Sequence, residues 1–330
     1  MDLIIRPLEE RDFPACLELL EGHLAYPVSI LPDLPGVWRK LLREDSLVAM
    51  VVEGEGLDRK HNAILAFGIV VFIADAWAAA AQTGEEPYLS VRTIRQELAG
   101  SSPILRPASI RRADSESGLN ALHLHYAEAA LSEESRAELR QRVLFAFIEY
   151  MRGYRLKLVL QELWDEVPPQ AIIRGPAPVL TDYATFFQRR GEPLPPLGQR
   201  PFLFSLRRQD VVGNFGHIST SLFIHTPPRL GFTQAEQRML RQAVFGYTDV
   251  ELAGRLHLAL PTIKNRWRAL YDRLGQIAPE LVQEIGCASN QAVRGQEKRR
   301  RLLEYLRRHP EELRPGLWQT RSIRKGSAAG

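Results

Sequence analysis

Cysteine is scarce in this chain of 330 residues, which contains only Cys16 and Cys287. Two cysteines so far apart in sequence argue against a disulfide framework and against a cysteine-based metal site. The opening residues, MDLIIRPLEERDF, lack the basic segment and the apolar stretch of a signal peptide. We therefore expect a protein of the reducing cytoplasm, with no metal.

Long apolar runs are also scarce. One run, AILAFGIVVFIADAWAAAA at positions 63–81, is long enough to span a bilayer. Asp75 interrupts it, and a carboxylate at the bilayer centre costs roughly 2.5–3.5 kcal/mol on insertion. Residues before Asp75 are mostly β-branched or aromatic, whereas alanine dominates after it. We predict a buried strand, then a short helix that begins near Asp75, and no membrane segment.

Familiar catalytic motifs are missing as well. The chain has no nucleophile elbow, Walker loop, zinc-ligand set or receiver-domain signature. His123 and His125 alternate in LHLHY, which predicts that both lie on one face of a strand, either as a metal or acid–base pair or simply facing solvent. No third ligand is evident, so we expect no catalytic residue, no cofactor and no enzyme activity.

Charge is unevenly spread along the chain. From residue 232 to the end there are 18 Lys or Arg and 10 Asp or Glu, whereas residues 1–231 hold 25 and 29. An acidic body with a basic C-terminal third suggests that the basic end binds a polyanion.

Residues 232–275 divide into three helical patterns. Thr233 and Thr248 each precede an apolar stripe and are followed three residues later by glutamate, as in a capping box. A third helix should start near Pro261. Its predicted buried face consists of four residues: Ile263, Trp267, Leu270 and Leu274. The polar residues between them then face solvent, which fits either a helix-turn-helix or an ordinary three-helix bundle with a charged surface.

The same segment resembles the LuxR/FixJ-type DNA-binding domain. FTQAEQRML, GYTDVELAGRL and TIKNRWRALYDRL follow the family pattern at its spacing over about 44 residues. The resemblance implies that Lys264, Asn265 and Arg268 contact bases and phosphates and that Thr262 contacts a backbone phosphate. Arg266 flanks the same exposed face, and we add it to the residues expected to contact DNA. The chain departs from the family in the turn, where His257 replaces glycine, and before the third helix, where Ser-Pro is replaced and the proline moves to Pro261.

Residues 1–225 interleave strand and helix patterns, which predicts an α/β or α+β domain for sensing or dimerisation. The order of elements and the segments IRPLEERDFPACLEL and YATFFQRRGEP resemble the GNAT acyltransferase fold. That resemblance implies a glycine-containing pyrophosphate loop before the helix near Ser132. The sequence there, AEAALSEESRAEL, has no glycine, and Glu133 and Glu134 would repel phosphate. We therefore expect a GNAT-like domain that has lost acetyl-CoA chemistry.

Two segments flank the predicted all-α helix-turn-helix domain at 232–276. Residues 226–231 are a predicted linker, stiffened by two prolines. Residues 277–330 are a basic helical extension and tail, with an apolar stripe of Leu302, Leu303 and Leu306. The basic residues of 294–313 either contact DNA phosphates, or the helix packs its leucines on the domain or on a partner subunit.

These patterns together predict a cytoplasmic bacterial transcription regulator that binds double-stranded DNA as a homodimer. The alternative is a GNAT-like N-acyltransferase with an appended DNA-binding module. RNA polymerase and a small-molecule ligand of unidentified class stay open as further partners.

Overall fold

The computed structural model describes residues 2–21, 27–55, 62–164, 179–196, 198–212, 218–282 and 291–314. Cys287 and the tail at 321–330 lie outside these ranges. The chain divides into two compact units, Met1–Thr226 and Pro227–Gly330. Each unit has its own buried apolar core.

The N-terminal unit is built on a seven-stranded sheet in the order β1-β2-β3-β4-β5-β7-β6. The strands are β1 Ile4–Pro7, β2 Leu47–Glu55, β3 Asn62–Ile73, β4 Leu119–Glu128, β5 Leu156–Leu163, β6 Val179–Thr181 and β7 Phe202–Arg207. Neighbouring strands are antiparallel except β4 and β5, which run parallel. A parallel pair needs a crossover connection, and here a long helix between the two strands provides it.

Helices cover both faces of this sheet. The helices are α1 Phe13–Leu20, α2 Leu34–Arg43, α3 Asp75–Gln82, α4 Leu89–Leu98, α5 Pro107–Ser115, α6 Glu133–Met151, α7 Ala184–Arg189 and α8 Arg208–Val211. The first four and α7 pack their apolar residues on one face, whereas α5, α6 and α8 pack on the other. A sheet buried on both faces explains the nearly continuous apolar sequence of β3.

The apolar run at 63–81 divides at Asp75, as predicted. β3 ends at Ile73, and α3 begins at Asp75. The Asp75 carboxylate accepts hydrogen bonds at 2.8 Å from the side chains of Asn120 and Lys157, which attaches the start of α3 to β4 and β5. Among the described residues, no helix is long and apolar enough to cross a membrane.

The described part of the C-terminal unit is helical. Its helices are α9 Gln234–Val244, α10 Asp249–Arg255, α11 Leu260–Ile277, α12 Pro279–Val282 and α13 Gln291–Arg308, followed by a 3-10 turn at Pro310–Leu313. Thr233 and Thr248 form the predicted capping boxes with Glu236 and Glu251 at the starts of α9 and α10. These boxes satisfy amide groups that the first turn of a helix leaves without partners.

Candidate functional sites

The sheet of the N-terminal unit forks between β4 and β5. The two strands pair from Leu119 and Leu156 as far as His123 and Gln161. β4 then continues to Glu128 alongside β3, while β5 continues to Leu163 alongside β7. The carboxyl ends of the only parallel pair in the described sheet therefore diverge.

The prediction that His123 and His125 share one face of β4 is wrong. The register between β3 and β4 shifts at this point, because Ile69 pairs with His125 and Val70 with His123. One extra residue in a strand reverses the faces of the side chains beyond it. The His125 ring packs 5.3 Å from Trp38 of α2, whereas the His123 ring packs 4.9 Å from Phe147 of α6.

His123 lies where the fork begins, on the α6 side of the sheet. Burial lowers the pKa of its imidazole, partly offset by a hydrogen bond with the Gln161 side chain. Its Nε2 atom is shielded from solvent and has no hydrogen-bond partner among the residues that the structure describes. His125 is 1% exposed, whereas the His123 side chain as a whole is half-buried.

Glu162 is the first β5 residue beyond the last β4–β5 pair, and it lies on the opposite side of the sheet from His123. It is buried, and burial raises the pKa of its carboxyl group above the ordinary value. Three donors oppose that shift: the backbone amides of Leu89 and Ser90 and the hydroxyl of Tyr183. The Tyr183 hydroxyl lies 2.9 Å from one carboxyl oxygen, and the Ser90 nitrogen lies 3.4 Å from the other. Sequence reasoning missed this residue.

Two tyrosines near Glu162 have strained backbones. Tyr88 precedes α4 with φ 62°, and Tyr183 precedes α7 with φ 56°. Left-handed backbone is unfavourable for a bulky residue, and such outliers cluster at functional sites. Burial raises the pKa of both hydroxyls, and the negative charge of Glu162 adds to each shift. The fork is therefore flanked by a buried carboxyl group and two phenols.

The start of α6, which follows β4, has the acidic character that the sequence predicts. Ser132 caps the helix by accepting a hydrogen bond from the Ser135 amide, and Glu133 and Glu134 are exposed in the first turn. Two cations lie slightly further along the helix. Arg136 and Arg140 form ion pairs with Glu128 at the end of β4, at 3.8 and 2.8 Å.

In the C-terminal unit, α11 has one buried and one exposed side. Ile263, Trp267, Leu270 and Leu274 are buried, as predicted. Among the five residues predicted to contact DNA, Lys264, Asn265 and Arg268 are exposed, whereas Thr262 and Arg266 are half-buried. The Arg268 guanidinium donates a hydrogen bond to the Asn265 side-chain oxygen at 3.4 Å. These polar groups thus share the outer surface of one well-packed helix.

The turn before α11 adopts the backbone that the family's glycine would favour. His257 has φ 51°, in the left-handed region, where histidine is tolerated better than most residues. α11 begins at Leu260, and its N-cap residue, Ala259, provides no side-chain cap. Pro261 in the first turn compensates in part, because it has no amide hydrogen to leave without a partner.

The segment that leads into α9 is attached to two distant parts of the unit. Glu312 accepts hydrogen bonds from the backbone amides of Arg229 and Leu230, at 3.0 and 2.9 Å. Arg273 of α11 donates to the carbonyl groups of Leu230 and Gly231, at 3.2 and 2.8 Å. We call residues 229–231 the entry strap.

The basic extension helix packs within the C-terminal unit. Leu302, Leu303 and Leu306 of α13 are buried in the same core as α9 and α11. Several of its cations are engaged inside the unit: Arg300 and Arg301 bond to Glu297, and Arg307 donates to the Val244 carbonyl. The described residues thus favour packing on the domain over packing on a partner subunit.

Comparison with solved structures finds N-acetyltransferases. An N-acetyltransferase from Staphylococcus aureus is 12% identical, covers 63% of this chain and 99% of its own, and has a TM-score of 0.31. Mutant forms of a spermidine/spermine N-acetyltransferase from Vibrio cholerae are 10% identical and cover 63% of this chain and 94% of theirs, with a TM-score of 0.31. RimJ from Mycobacterium smegmatis, in complex with CoA-disulfide, is 11% identical. The match covers 64% of this chain and 85% of RimJ, with a TM-score of 0.33.

The mixed sheet with its helices resembles the GNAT fold, as the order of elements in the sequence suggested. The expectation that the protein is not an enzyme is contradicted by these similar structures, because they include N-acetyltransferases. That expectation depended on the absence of familiar catalytic motifs and on the glycine-free loop before α6, and the fold as a whole entered neither argument. At these identities the likeness concerns the fold, and a reaction of this chain is a proposal.

The remaining comparisons identify no relative. No family model matches the chain, and no curated protein does so. Nothing in the comparisons shows a LuxR/FixJ-type domain, so DNA contacts by α11 stay a prediction. Within the described residues, no group of three or more His, Cys, Asp or Glu side chains could hold a metal ion.

Proposed function

We propose that the N-terminal unit transfers an acyl group from an acyl-CoA to a primary amine at the β4–β5 fork. The observation that carries this proposal is the divergence of β4 and β5 beside the buried Glu162. Ligands of open α/β sheets bind beyond the carboxyl ends of parallel strands. The fork is such a place, and it has a titratable group on its wall.

The proposed reaction requires a proton acceptor. The amine nitrogen attacks the thioester carbonyl carbon, the new C–N bond forms, and the C–S bond breaks to release the CoA thiolate. The amine proton passes to Glu162, whose raised pKa makes its carboxylate a stronger base than an ordinary glutamate. The Tyr183 hydroxyl holds the carboxyl group in place through its 2.9 Å hydrogen bond.

Because the loop before α6 has no glycine, the CoA phosphates must be bound by other groups than a glycine-containing loop. Glu133 and Glu134 disfavour an anion at the first turn of α6. Arg136 and Arg140 are half exposed and pair with the Glu128 carboxylate, and a guanidinium can exchange a carboxylate for a phosphate. We therefore assign phosphate binding to these two arginines.

Calorimetric titration with acetyl-CoA tests binding first. We expect a Kd in the micromolar range or below for the full chain, and weaker binding by the Arg136→Ala and Arg140→Ala variants. Acetyl-pantetheine, which has no phosphate, should bind those variants and the parent equally. An absence of heat at millimolar acetyl-CoA would refute the proposal.

Release of free CoA thiol with a panel of primary amines tests the chemistry. Glu162→Gln keeps the shape of the side chain but cannot accept a proton. It should bind acetyl-CoA like the parent and turn over about 10²–10⁴-fold more slowly. Parent-like turnover by Glu162→Gln would remove Glu162 from the mechanism.

A second candidate function belongs to the C-terminal unit. We propose that α11 enters the major groove of double-stranded DNA and contacts it through Thr262, Lys264, Asn265, Arg266 and Arg268. The observation in favour is the exposure of Lys264, Asn265 and Arg268 on a helix whose other side is buried. One such helix reads only a few base pairs, so we expect a homodimer on half-sites about 34–36 Å apart.

Selection of bound duplexes from a random pool tests this second proposal. The selected site should be an inverted repeat, and footprinting should protect two half-sites. A single protected half-site with one protein bound would refute the dimer. Equal binding to all duplexes would refute sequence recognition by α11.

A further inference from the structure

The extension helix α13 joins the two helices of the proposed DNA-binding pair through one side chain. The guanidinium of Arg299 donates from Nη1 to the Asp249 carboxylate at 2.7 Å. Its Nη2 donates to the Tyr247 carbonyl at 2.8 Å. The same guanidinium lies over the Trp267 ring, 4.8 Å from the ring centroid. Arg299 therefore contacts the start of α10 and the middle of α11 at once.

Asp249 completes a three-helix junction. Its Oδ1 atom accepts the Arg299 hydrogen bond and also one from the Trp267 indole nitrogen, at 3.1 Å. Tyr271 is stacked with Trp267, with ring centroids 5.7 Å apart. One carboxylate of α10 is thus shared by α11 and α13. We call Asp249, Trp267 and Arg299 the junction.

The junction lies close to the exposed face of α11. A cleft of about 380 Å³ is lined by Arg299 and Asp249 and also by Lys264, one of the residues proposed to contact DNA. The side chains of Arg299 and Asp249 are only about one quarter exposed. Such an ion pair is less screened by solvent than one between fully exposed side chains.

We propose that Arg299 is a positioning residue that holds α11 at a fixed angle to α10, so that α13 is an integral part of the DNA-binding unit. This inference deepens the proposed DNA binding and rests on it for its functional consequence. Only a guanidinium can make these three contacts together, because its planar fork donates along two directions while its face stacks on a ring. A lysine would keep the charge but lose that geometry.

The test uses the full chain and compares three variants. Arg299→Lys keeps the charge, and Arg299→Ala removes the side chain. Arg300→Ala is the matched control, because Arg300 is more exposed and its hydrogen bonds go to Glu297 and Glu304 of the same helix. Thermal melting and hydrogen exchange of residues 260–277 are measured without DNA. Binding to the selected duplex and to a random duplex is measured separately.

We expect Arg299→Lys to melt close to the parent but to exchange amide hydrogens in α11 faster. Its affinity for the selected duplex should fall on the order of tenfold, with little change on random DNA. Arg300→Ala should change neither the amide exchange of α11 nor the affinity for either duplex. If Arg299→Ala unfolds the unit, the lysine variant still decides the matter.

Three results would overturn the inference. Parent-like exchange in α11 for both Arg299 variants would show that the junction does not position the helix. An equal loss on selected and random DNA would make Arg299 a phosphate contact instead. Faster amide exchange in α11 of Arg299→Lys, with unchanged DNA binding, would show that the position of α11 does not affect recognition. If the parent itself binds no DNA, the proposed function fails, and the exchange measurement alone decides whether Arg299 positions α11.

Discussion

The two units place their candidate functional groups in opposite ways. In the N-terminal unit, Glu162 and the Nε2 atom of His123 are withdrawn from solvent on the two sides of a forked sheet. In the C-terminal unit, Lys264, Asn265 and Arg268 lie on the outer surface of a helix. Burial changes the acidity of a group, which acid–base chemistry needs, whereas contact with DNA needs groups that solvent already reaches. The arrangement of each unit therefore suits the function proposed for it.

We expect the largest effect from a change on the buried side of α11, beneath its exposed polar residues. Trp267→Ala should lower the free energy of unfolding of the C-terminal unit by about 3–5 kcal/mol, because it leaves a large cavity in the core. It also removes a donor to Asp249. Chemical denaturation followed by circular dichroism measures the loss. Trp267→Phe is the control and should cost much less; a Trp267→Ala variant that unfolds like the parent but fails to bind DNA would instead place Trp267 at the DNA.

The next effect concerns the exposed face itself. Asn265→Ala should weaken binding to the selected duplex by about 1–3 kcal/mol and leave binding to random DNA almost unchanged, because an amide reads a base edge. If Lys264 and Arg268 contact only phosphate, Lys264→Ala and Arg268→Ala should each weaken binding to the selected and the random duplex alike. Each change should also reduce the slope of the logarithm of the binding constant against the logarithm of the salt concentration by about one. Binding is measured at several salt concentrations. If all three variants bind DNA like the parent, the exposed face of α11 is an ordinary solvated surface that does not contact DNA.

A smaller effect concerns the capping box that starts α10. Thr248→Ala removes the hydroxyl that accepts a hydrogen bond from the Glu251 amide, and it should cost about 1 kcal/mol of unfolding free energy. Thr248→Ser keeps the hydroxyl and should stay close to the parent. Denaturation of both variants under one condition measures the difference. Equal losses would show that the methyl group, rather than the cap, stabilises the unit.

The last comparison concerns pH and the buried carboxyl group. Burial raises the pKa of Glu162 above its usual 4.5, so the folded chain holds this proton more tightly than the unfolded chain. Its contribution to the free energy of unfolding is complete below about pH 4.5 and is lost as pH rises through the folded-state pKa. The unfolding free energy of Glu162→Gln should therefore fall less than that of the parent as pH rises to about 8. Parallel pH profiles for the two proteins would contradict the assignment.

Local signals in the sequence predicted much of the secondary structure. β3 ends at Ile73 and α3 begins at Asp75, where the apolar run predicted the change from strand to helix, and both capping boxes form at the predicted threonines. His257, which stands where the LuxR/FixJ-type pattern has glycine, has the positive φ that glycine favours. These features depend on residues within a few positions of one another.

The fork could not be predicted in the same way. The bulge that separates His123 from His125 arises from the pairing of β4 with β3, and nothing in LHLHY itself encodes it. Glu162 looks like an ordinary polar residue of an alternating strand. It is buried because α4 and Tyr183 cover it, and Ser90 lies 72 residues away in sequence. Contacts at such separations are fixed by the tertiary fold, so one sequence does not reveal them.

The entry strap has a practical consequence for anyone who dissects this chain. Glu312 accepts from the amides of Arg229 and Leu230, so the first and last described turns of the C-terminal unit are fastened together. A fragment that ends at residue 276 would lose Glu312, and two backbone amides would lose their acceptor. It would also lose the leucines of α13 from the core. The shortest piece that keeps these contacts therefore spans residues 227–314.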